Sequence, residues 1–348
     1  MANLVAVTKE SRLILKVGGI FCGVILLIYI FVKGGGLMRD LFFPKPPPAP
    51  VQALGKLPHV AFPQQQEPSG LGTQFTINTI DGQLPNFPDR VNVYKLTVAE
   101  PNLLALETAR NTLDSSDFVE NQTKLTDTLY RWTQARTGIV IEYDIVSKNF
   151  AITSNYMTNP FLTSSSLLPE EDRIQSDMMG FLNTIGSNTD NLDEEKTKVE
   201  YLEMKNGVLV AAENLGSARF ARITMEQIAI DEIPIIYGGP SNSILSFVIS
   251  YPNNRFSVVE GEFYNHVVDD ANKSDYPIKT AEQALTDLKN GNAYMINPQN
   301  LTNVDITTVE LRYFLGRESK EFLLPVIVFS GINFTGYVEA IPATSLAN

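Results

Sequence analysis

The longest apolar run of the chain lies near its amino end. Residues 17–32 carry no charge, and together with residues 13–15 they form a 20-residue stretch that is interrupted only by Lys16. At about 1.5 Å of rise per residue, a helix of this length matches the roughly 30 Å core of a bilayer. The pattern therefore predicts a transmembrane helix over residues 13–33, preceded by a short cytoplasmic tail over residues 1–12.

A cleaved signal peptide is the alternative interpretation of this run, and Gly34–Gly36 resembles its small-residue cleavage site. The run is longer than the apolar region of most signal peptides, which favours an anchor. Basic residues lie on both sides of it, so charge hardly decides the orientation. The short tail favours a cytoplasmic amino end, with the large domain extracytoplasmic at the cell membrane.

Residues 34–72 contain three successive glycines, a proline run over residues 44–50 and three glutamines over residues 64–66. Glycine permits swivelling, and consecutive prolines favour an extended chain. We therefore expect a Gly/Pro-rich stalk here, although a plain linker would have the same composition.

Apolar residues at helical spacing predict three helices after the stalk. The first extends from about Pro101 to Leu113 and the second from about Pro169 to Ile185, with acidic residues in its first turn. The third extends from Ala281 to Lys289, where Thr280 and Gln283 have the spacing of a capping box.

Most of the remaining chain alternates between apolar and polar positions, as strands do. These strand segments are residues 139–145, 199–204, 208–212, 220–225, 244–249, 258–264, 309–314 and 322–329. Many strands with few helices between them indicate an α+β fold with antiparallel sheets.

The order of elements repeats along the chain. After the first and third helices comes a spacer, a short strand, a turn, a long strand and a further strand, which favours internal duplication over chance similarity. We therefore expect tandem small helix-plus-sheet units: a first over residues 73–160, a middle one over residues 161–270 and a C-terminal one over residues 271–348.

Charge narrows the classes of partner. The net charge is −12, and because residues 1–33 carry +3, the remainder carries −15. Such a domain repels phosphate backbones, so we expect no nucleic acid partner. The single cysteine, Cys22, lies inside the apolar run, so the large domain has no disulfide and no cysteine metal ligand.

Catalytic patterns are sparse. His266 stands near Asp269 and Asp270, but no G-x-S-x-G frames a nucleophile, and His59 lies in the expected stalk. We interpret both histidines as surface residues. HExxH, GxxxxGK[ST] and GxGxxG are all missing from the sequence, so we expect no catalytic, cofactor or metal site.

Three sets of acidic residues partly match known functional patterns, and a structural role is the simpler interpretation of each. Residues 188–195 and 270–275 partly match calcium loops but lack the required glycine or bidentate glutamate, so we interpret them as solvated turns. Glu260 and Glu262 are two residues apart on an expected strand. A carboxylate hydrolase uses such pairs, whereas a charged sheet face is the simpler interpretation.

The C-terminal segment resembles a known family. The helix TAEQALTDLKNG, followed by VELRYF, FLLPVIVFSG and GYVEAI, is similar to PepSY-like modules, and most of all to the tandem modules of YycI/YycH-type bacterial single-pass membrane proteins. The resemblance covers about residues 278–341, and residues 100–154 loosely. It implies a bitopic protein whose extracytoplasmic domain binds other proteins and has no catalytic residues.

Three functions remain as hypotheses. The first is a membrane-anchored, extracytoplasmic, non-enzymatic protein-interaction module with an envelope or membrane protein as partner. The second is a structural component of an envelope secretion or pilus-type assembly. The third is a carboxylate-based envelope hydrolase. The sequence leaves the oligomeric state open.

Overall fold

The computed structural model describes residues 49–63, 73–164, 167–238, 243–296, 302–316 and 321–347, together with Gly18, Gly23, Val24 and Tyr29. The expected cytoplasmic tail, most of the expected transmembrane helix and most of the expected stalk lie outside these residues. None of the helices in the described ranges combines the length and the apolar character needed to cross a bilayer. Residues 50–348 group as one unit.

The described chain is a mixed α+β structure, mostly sheet with few helices, as the sequence predicts. The helices are α1 Ala105–Asp114, α2 Pro160–Thr163, α3 Glu171–Thr184 and α4 Ala281–Lys289. The strands are β1 Gln74–Ile77, β2 Arg90–Leu96, β3 Phe118–Lys124, β4 Leu129–Gln134, β5 Val140–Asp144, β6 Phe150–Thr153, β7 Leu192–Lys205, β8 Val208–Ala211, β9 Phe220–Gln227, β10 Ile235–Tyr237, β11 Leu245–Ser250, β12 Ser257–Phe263, β13 Val268–Pro277, β14 Tyr294–Ile296, β15 Asn303–Leu315, β16 Phe322–Gly331 and β17 Phe334–Glu339.

The helix predictions are accurate where capping signals exist. The expected capping box of α4 is confirmed, because the Thr280 side chain accepts from the Gln283 amide and the Gln283 side chain accepts from the Thr280 amide. The predicted start of α1 at Pro101 is wrong: Asn102 accepts the Leu104 amide at 2.9 Å and forms a turn before the helix begins. The short helix α2 was not predicted.

Nine strands form one sheet, in the order β3-β4-β5-β6-β12-β11-β9-β7-β8. One face carries large apolar side chains on which α3 packs through Ile174, Met178 and Leu182. The opposite face carries charge, with ion pairs between Arg131 and Glu142 and between Arg222 and Glu200. This alternation of apolar and charged positions is typical of a sheet with one buried face.

Eight strands form a second sheet, in which β1-β15-β16-β17-β14 follow one another, β2 joins β13 to β16, and β10 pairs with β15. Helix α4 covers one face, with Leu288 packing among Ile327 and Phe329. The other face holds Val326 and Val328, which are also buried. Strand β16 is therefore buried on both faces, which explains its continuous apolar sequence.

The expected units remain a prediction, since strands from residues 73–160 occur in both sheets. The repeated element order is present after α1 and after α4, but the pairing differs. The strand that follows α1 lies beside the next strand in sequence, β4, whereas the strand that follows α4 lies beside the last one, β17.

A tight turn between β9 and β10 fastens the sheets to each other. Asp231 and Glu232 both have positive φ, at 50° and 64°. The Asp231 carboxylate accepts from the Tyr94 hydroxyl at 2.5 Å and from Asn92 at 2.7 Å, both on β2. Burial, and then Asp231, raise the pKa of Tyr94 to about 12, so its hydroxyl remains a donor at neutral pH. These bonds compensate for the unfavourable backbone of the turn.

Gly261 of β12 lies in the centre of the nine-stranded sheet. Its φ is 138°, and a Cβ atom would lie 2.1 Å from the Ser246 carbonyl oxygen and 2.6 Å from the Phe247 ring. The position therefore requires glycine, because both the backbone conformation and the space exclude a side chain.

We predict that Gly261→Ala lowers the free energy of unfolding by more than about 2 kcal/mol, since the new methyl group must displace backbone. Chemical denaturation measures this change. The matched control is Gly180→Ala on the exposed side of α3, where nothing lies within 4 Å; it should stabilise by about 0.5–1 kcal/mol. Equal effects of the two substitutions would contradict the packing around Gly261.

Candidate functional surface

A segment of the expected stalk packs against the eight-stranded sheet. Residues 50–63, which we call the strap, run across residues 274–276, Glu339 and residues 344–347. The stalk prediction is therefore wrong for this segment. The physical reason is its apolar content, because Leu54, Leu57, Val60 and Phe62 each contribute to a hydrophobic cluster.

Leu57 is the fully buried residue of the strap. Its side chain lies in a cluster with Val93, Tyr276, Leu324, Ile341 and Leu346. Its backbone forms a parallel bridge to Leu346: the Leu57 amide donates to the Ser345 carbonyl at 3.0 Å, and the Ala347 amide donates to the Leu57 carbonyl at 2.7 Å. Burial of a leucine side chain stabilises by about 2 kcal/mol.

Phe62 is the aromatic contact of the strap. Its ring stacks on Tyr294 at 5.5 Å between centroids and meets Phe314 edge-on at 5.0 Å. Tyr337 completes the cluster at 6.4 Å. Such pairs add about 0.5–1.5 kcal/mol beyond the area that they bury.

Glu339, at the end of β17, holds the strap between these two contacts. Its Oε1 accepts the Val60 amide at 2.7 Å, and its Oε2 lies 3.0 Å from His59 Nδ1. The side chain of His59 is 64% exposed, whereas that of Glu339 is 20% exposed. His59 is thus a surface residue with a specific partner, and the geometry indicates binding of the strap rather than catalysis.

Asp275 of β13 holds the other end of the strap. Its Oδ1 accepts the Val51 amide at 2.9 Å, and its backbone carbonyl accepts the Gln52 amide at 3.2 Å. The Val51 amide, and then the Arg90 guanidinium, lower the pKa of the Asp275 carboxyl below its usual range. The carboxylate form is therefore the one that binds the strap.

The other histidine, His266, lies between β12 and β13. Its Nε2 is buried and has no hydrogen-bond partner among the described residues, and burial lowers its pKa. Asp269 instead accepts from Asn272 at 2.6 Å, and Asp270 pairs with Lys273 at 2.9 Å, within a bulge of β13. The structure therefore does not bring His266 and these aspartates together as an acid–base group.

The remaining acidic candidates have local partners. Glu260 is exposed on the charged sheet face and hydrogen-bonds Tyr156, and Glu262 lies two residues further along β12 on the same strand. Asn188 accepts the Asp190 amide at 3.0 Å, and Asp193 pairs with Lys196 at 3.1 Å. Within the described ranges, no group of three or more His, Cys, Asp or Glu residues is placed to hold a metal ion.

A depression of about 290 Å³ lies between α3, β12 and the turn before β3. Asp117 and Asp177 both line it, and Asp177 already pairs with Arg173 at 2.9 Å and accepts from the Tyr251 hydroxyl at 3.0 Å. Burial, and then Asp177, raise the pKa of Tyr251. The depression is therefore a weaker candidate than the strap surface, which has matched apolar and polar contacts.

We predict that Leu57→Ala lowers the free energy of unfolding by about 2–4 kcal/mol, because it empties a fully enclosed site. Phe62→Ala should chiefly raise amide hydrogen exchange of residues 50–63, since its ring is only partly buried. Val51→Ala, at a residue that is 73% exposed, is the control. If all three variants matched the parent protein in stability and exchange, the packed position of the strap would be refuted.

Acid should release the Val51 end of the strap. Because the folded pKa of Asp275 is lowered, its contribution is present above the unfolded value of about 3.9 and is lost as pH falls through the folded value. We expect the protection factor of the Val51 amide to stay constant above about pH 5 and to fall as the pH drops below about 4. Asp275→Asn keeps a neutral acceptor, so its protection should not change over this range. Unchanged protection in the parent protein would contradict the assignment.

Comparisons with known proteins find similar solved structures but no family. No protein-family model and no curated protein matches the sequence. The crystal structure of an uncharacterized protein from Eubacterium rectale is 13% identical, with 74% of this chain and 81% of that chain covered and a TM-score of 0.37. The Bacillus megaterium YpeB C-terminal domain is 12% identical, with 72% and 96% covered and a TM-score of 0.28. Both TM-scores lie below 0.5, so neither structure assigns the chain to a family or carries an argument about function.

Proposed function

We propose that the chain is a membrane-anchored, extracytoplasmic, non-enzymatic module that binds another protein of the cell envelope. The strap is the observation that carries this proposal. It follows the apolar run and the proline run in sequence, and it is bound to the sheet through Leu57, Phe62 and Glu339. The segment that follows the proline run is therefore itself part of the folded surface.

The apolar run supports the anchor in this proposal through its length and lack of charge. The PepSY-like resemblance of residues 278–341 supports the protein-binding role, as an analogy between sequences. Under this hypothesis, one example of such a module is a protein that binds and regulates a sensor kinase or a transporter.

A structural component of an envelope secretion or pilus-type assembly is the second candidate, and one edge of the nine-stranded sheet favours it. Edge strand β8 has the sequence VLVA and no charge, and Val208 is 56% exposed. Edge strand β3, at the opposite end, carries Glu120 and Lys124 and has two register shifts. Charges and bulges protect an edge from pairing, so β8 is the edge suited to a further strand.

We predict that a single cysteine at position 332 is labelled from outside intact cells. Ile332 is 84% exposed in the turn between β16 and β17, and Cys22→Ser removes the natural thiol. Full-length Cys22→Ser/Ile332→Cys protein should react with a membrane-impermeant biotin maleimide without permeabilisation. Labelling only after permeabilisation would overturn the extracytoplasmic placement.

The same biotin serves as the handle for capture after crosslinking in intact cells. The proposed function predicts one membrane or envelope protein recovered in near-equal amount. A set of secretion or pilus components would favour the structural alternative instead, and recovery of the chain alone would contradict both. The Cys22→Ser chain without the new cysteine controls for background capture.

A further inference from the structure

The surface beneath the strap has the form of a peptide-binding groove. Its walls come from strands β2, β13, β14, β15, β16 and β17 and from residues 340–347, and the strap lies in it. One apolar socket receives Leu57 and a second, aromatic one receives Phe62, five residues later. A carboxylate, Glu339, lies between them and receives a backbone amide and a basic ring.

The contacts are of the kind used to bind extended peptides. The Leu57 backbone pairs with residues 345–347 as an added strand does, and the side chains of Leu57 and Phe62 fill the two sockets. Tyr276 donates from its hydroxyl to the Gly55 carbonyl at 2.8 Å, and Ser274 accepts the Ala53 amide at 2.8 Å. These bonds contact the peptide backbone and therefore depend little on the sequence of the peptide. The two sockets and Glu339, in contrast, select particular side chains.

The strap is held lightly compared with the sheet that it covers. Leu57 is its only fully buried residue, and Val51, Ala53, Lys56, His59 and Pro63 are among its exposed ones. Its backbone makes one bridge rather than a ladder. A segment with few buried side chains opens at a free energy well below that of global unfolding.

We propose that the strap is an intramolecular competitor that occupies the partner-binding groove, and that the partner presents an extended segment of the same chemistry. That segment has an aliphatic residue for the Leu57 socket, a basic residue two positions later for Glu339, and an aromatic residue five positions after the aliphatic one. The inference rests on the proposed function, because it specifies how the partner protein is recognised.

A labelled peptide of residues 50–63 tests this inference on the full-length protein. By fluorescence anisotropy it should bind the Leu57→Ala/Phe62→Ala protein about tenfold or more tightly than the parent protein, whose own strap occupies the groove most of the time. A peptide that carries the same two alanines should not bind. His59→Arg in the peptide should strengthen binding, and Glu339→Gln in the protein should remove that gain.

Hydrogen exchange shows whether the strap of the double variant is open, and a cooperative thermal transition shows that the rest is folded. The inference is overturned if the peptide does not bind a double variant that is folded and has an open strap. It is also overturned if the two-alanine peptide binds as tightly as the original peptide. If the double variant does not fold, a protease site placed within residues 64–72 of the full-length parent chain replaces it. After cleavage, the peptide should displace the amino-terminal fragment, and failure to do so would again overturn the inference.

The peptide experiment tests the groove, and the capture experiment tests the proposed function, so the two can fail independently. Peptide binding with no captured protein would count against the proposed function and would support only an exchangeable strap in its groove. A captured partner with no peptide binding would overturn only the groove as its site.

Discussion

Strand β15 is the element on which the rest of this arrangement depends. It pairs with β16 along most of its length, while β1 joins it in parallel at residues 303–306 and β10 joins it in parallel at residues 313–315. Segments that are far apart in sequence thus meet on a single strand. Because β10 directly follows the turn after β9, this pairing also connects the two sheets. The three-residue strand β10 would pair only weakly by itself. The hydrogen bonds that Asp231, in the turn before β10, accepts from Asn92 and Tyr94 of β2 hold this strand in place.

The sequence predicts those features that local periodicity specifies. Helices α3 and α4 agree with prediction to within about two residues because acidic first turns, a capping box and terminal glycines mark them. Strand β16 is evident because it is apolar throughout. The polar residues 270–275 predict a solvated turn, whereas the structure places them in strand β13, where residues 270–272 bulge out of the ladder. Pairing partners, such as β1 and β10 with β15, depend on contacts between distant segments, which no local pattern encodes.

The candidate surface was missed for a similar reason. Proline and glycine in residues 34–72 indicate a linker, and that composition outweighed a weaker signal within it. Leu54, Leu57, Val60 and Phe62 are spaced by three, three and two residues, which fits neither a helix nor a strand. Irregular spacing is what a segment shows when it follows existing sockets on a folded surface. Glu339 gave no signal at all, because its role exists only through residues that precede it by 279 and 280 positions.

The bridge between Leu57 and Leu346 has an evolutionary consequence. The two residues belong to opposite ends of the described chain, yet each forms part of the other's environment. A substitution at one of them changes the space available to the other, and the same holds for His59 and Glu339. We therefore expect the residues of each pair to change together among related chains. Coupled changes at the two ends, rather than an invariant motif, are the expected mark of this contact in related sequences.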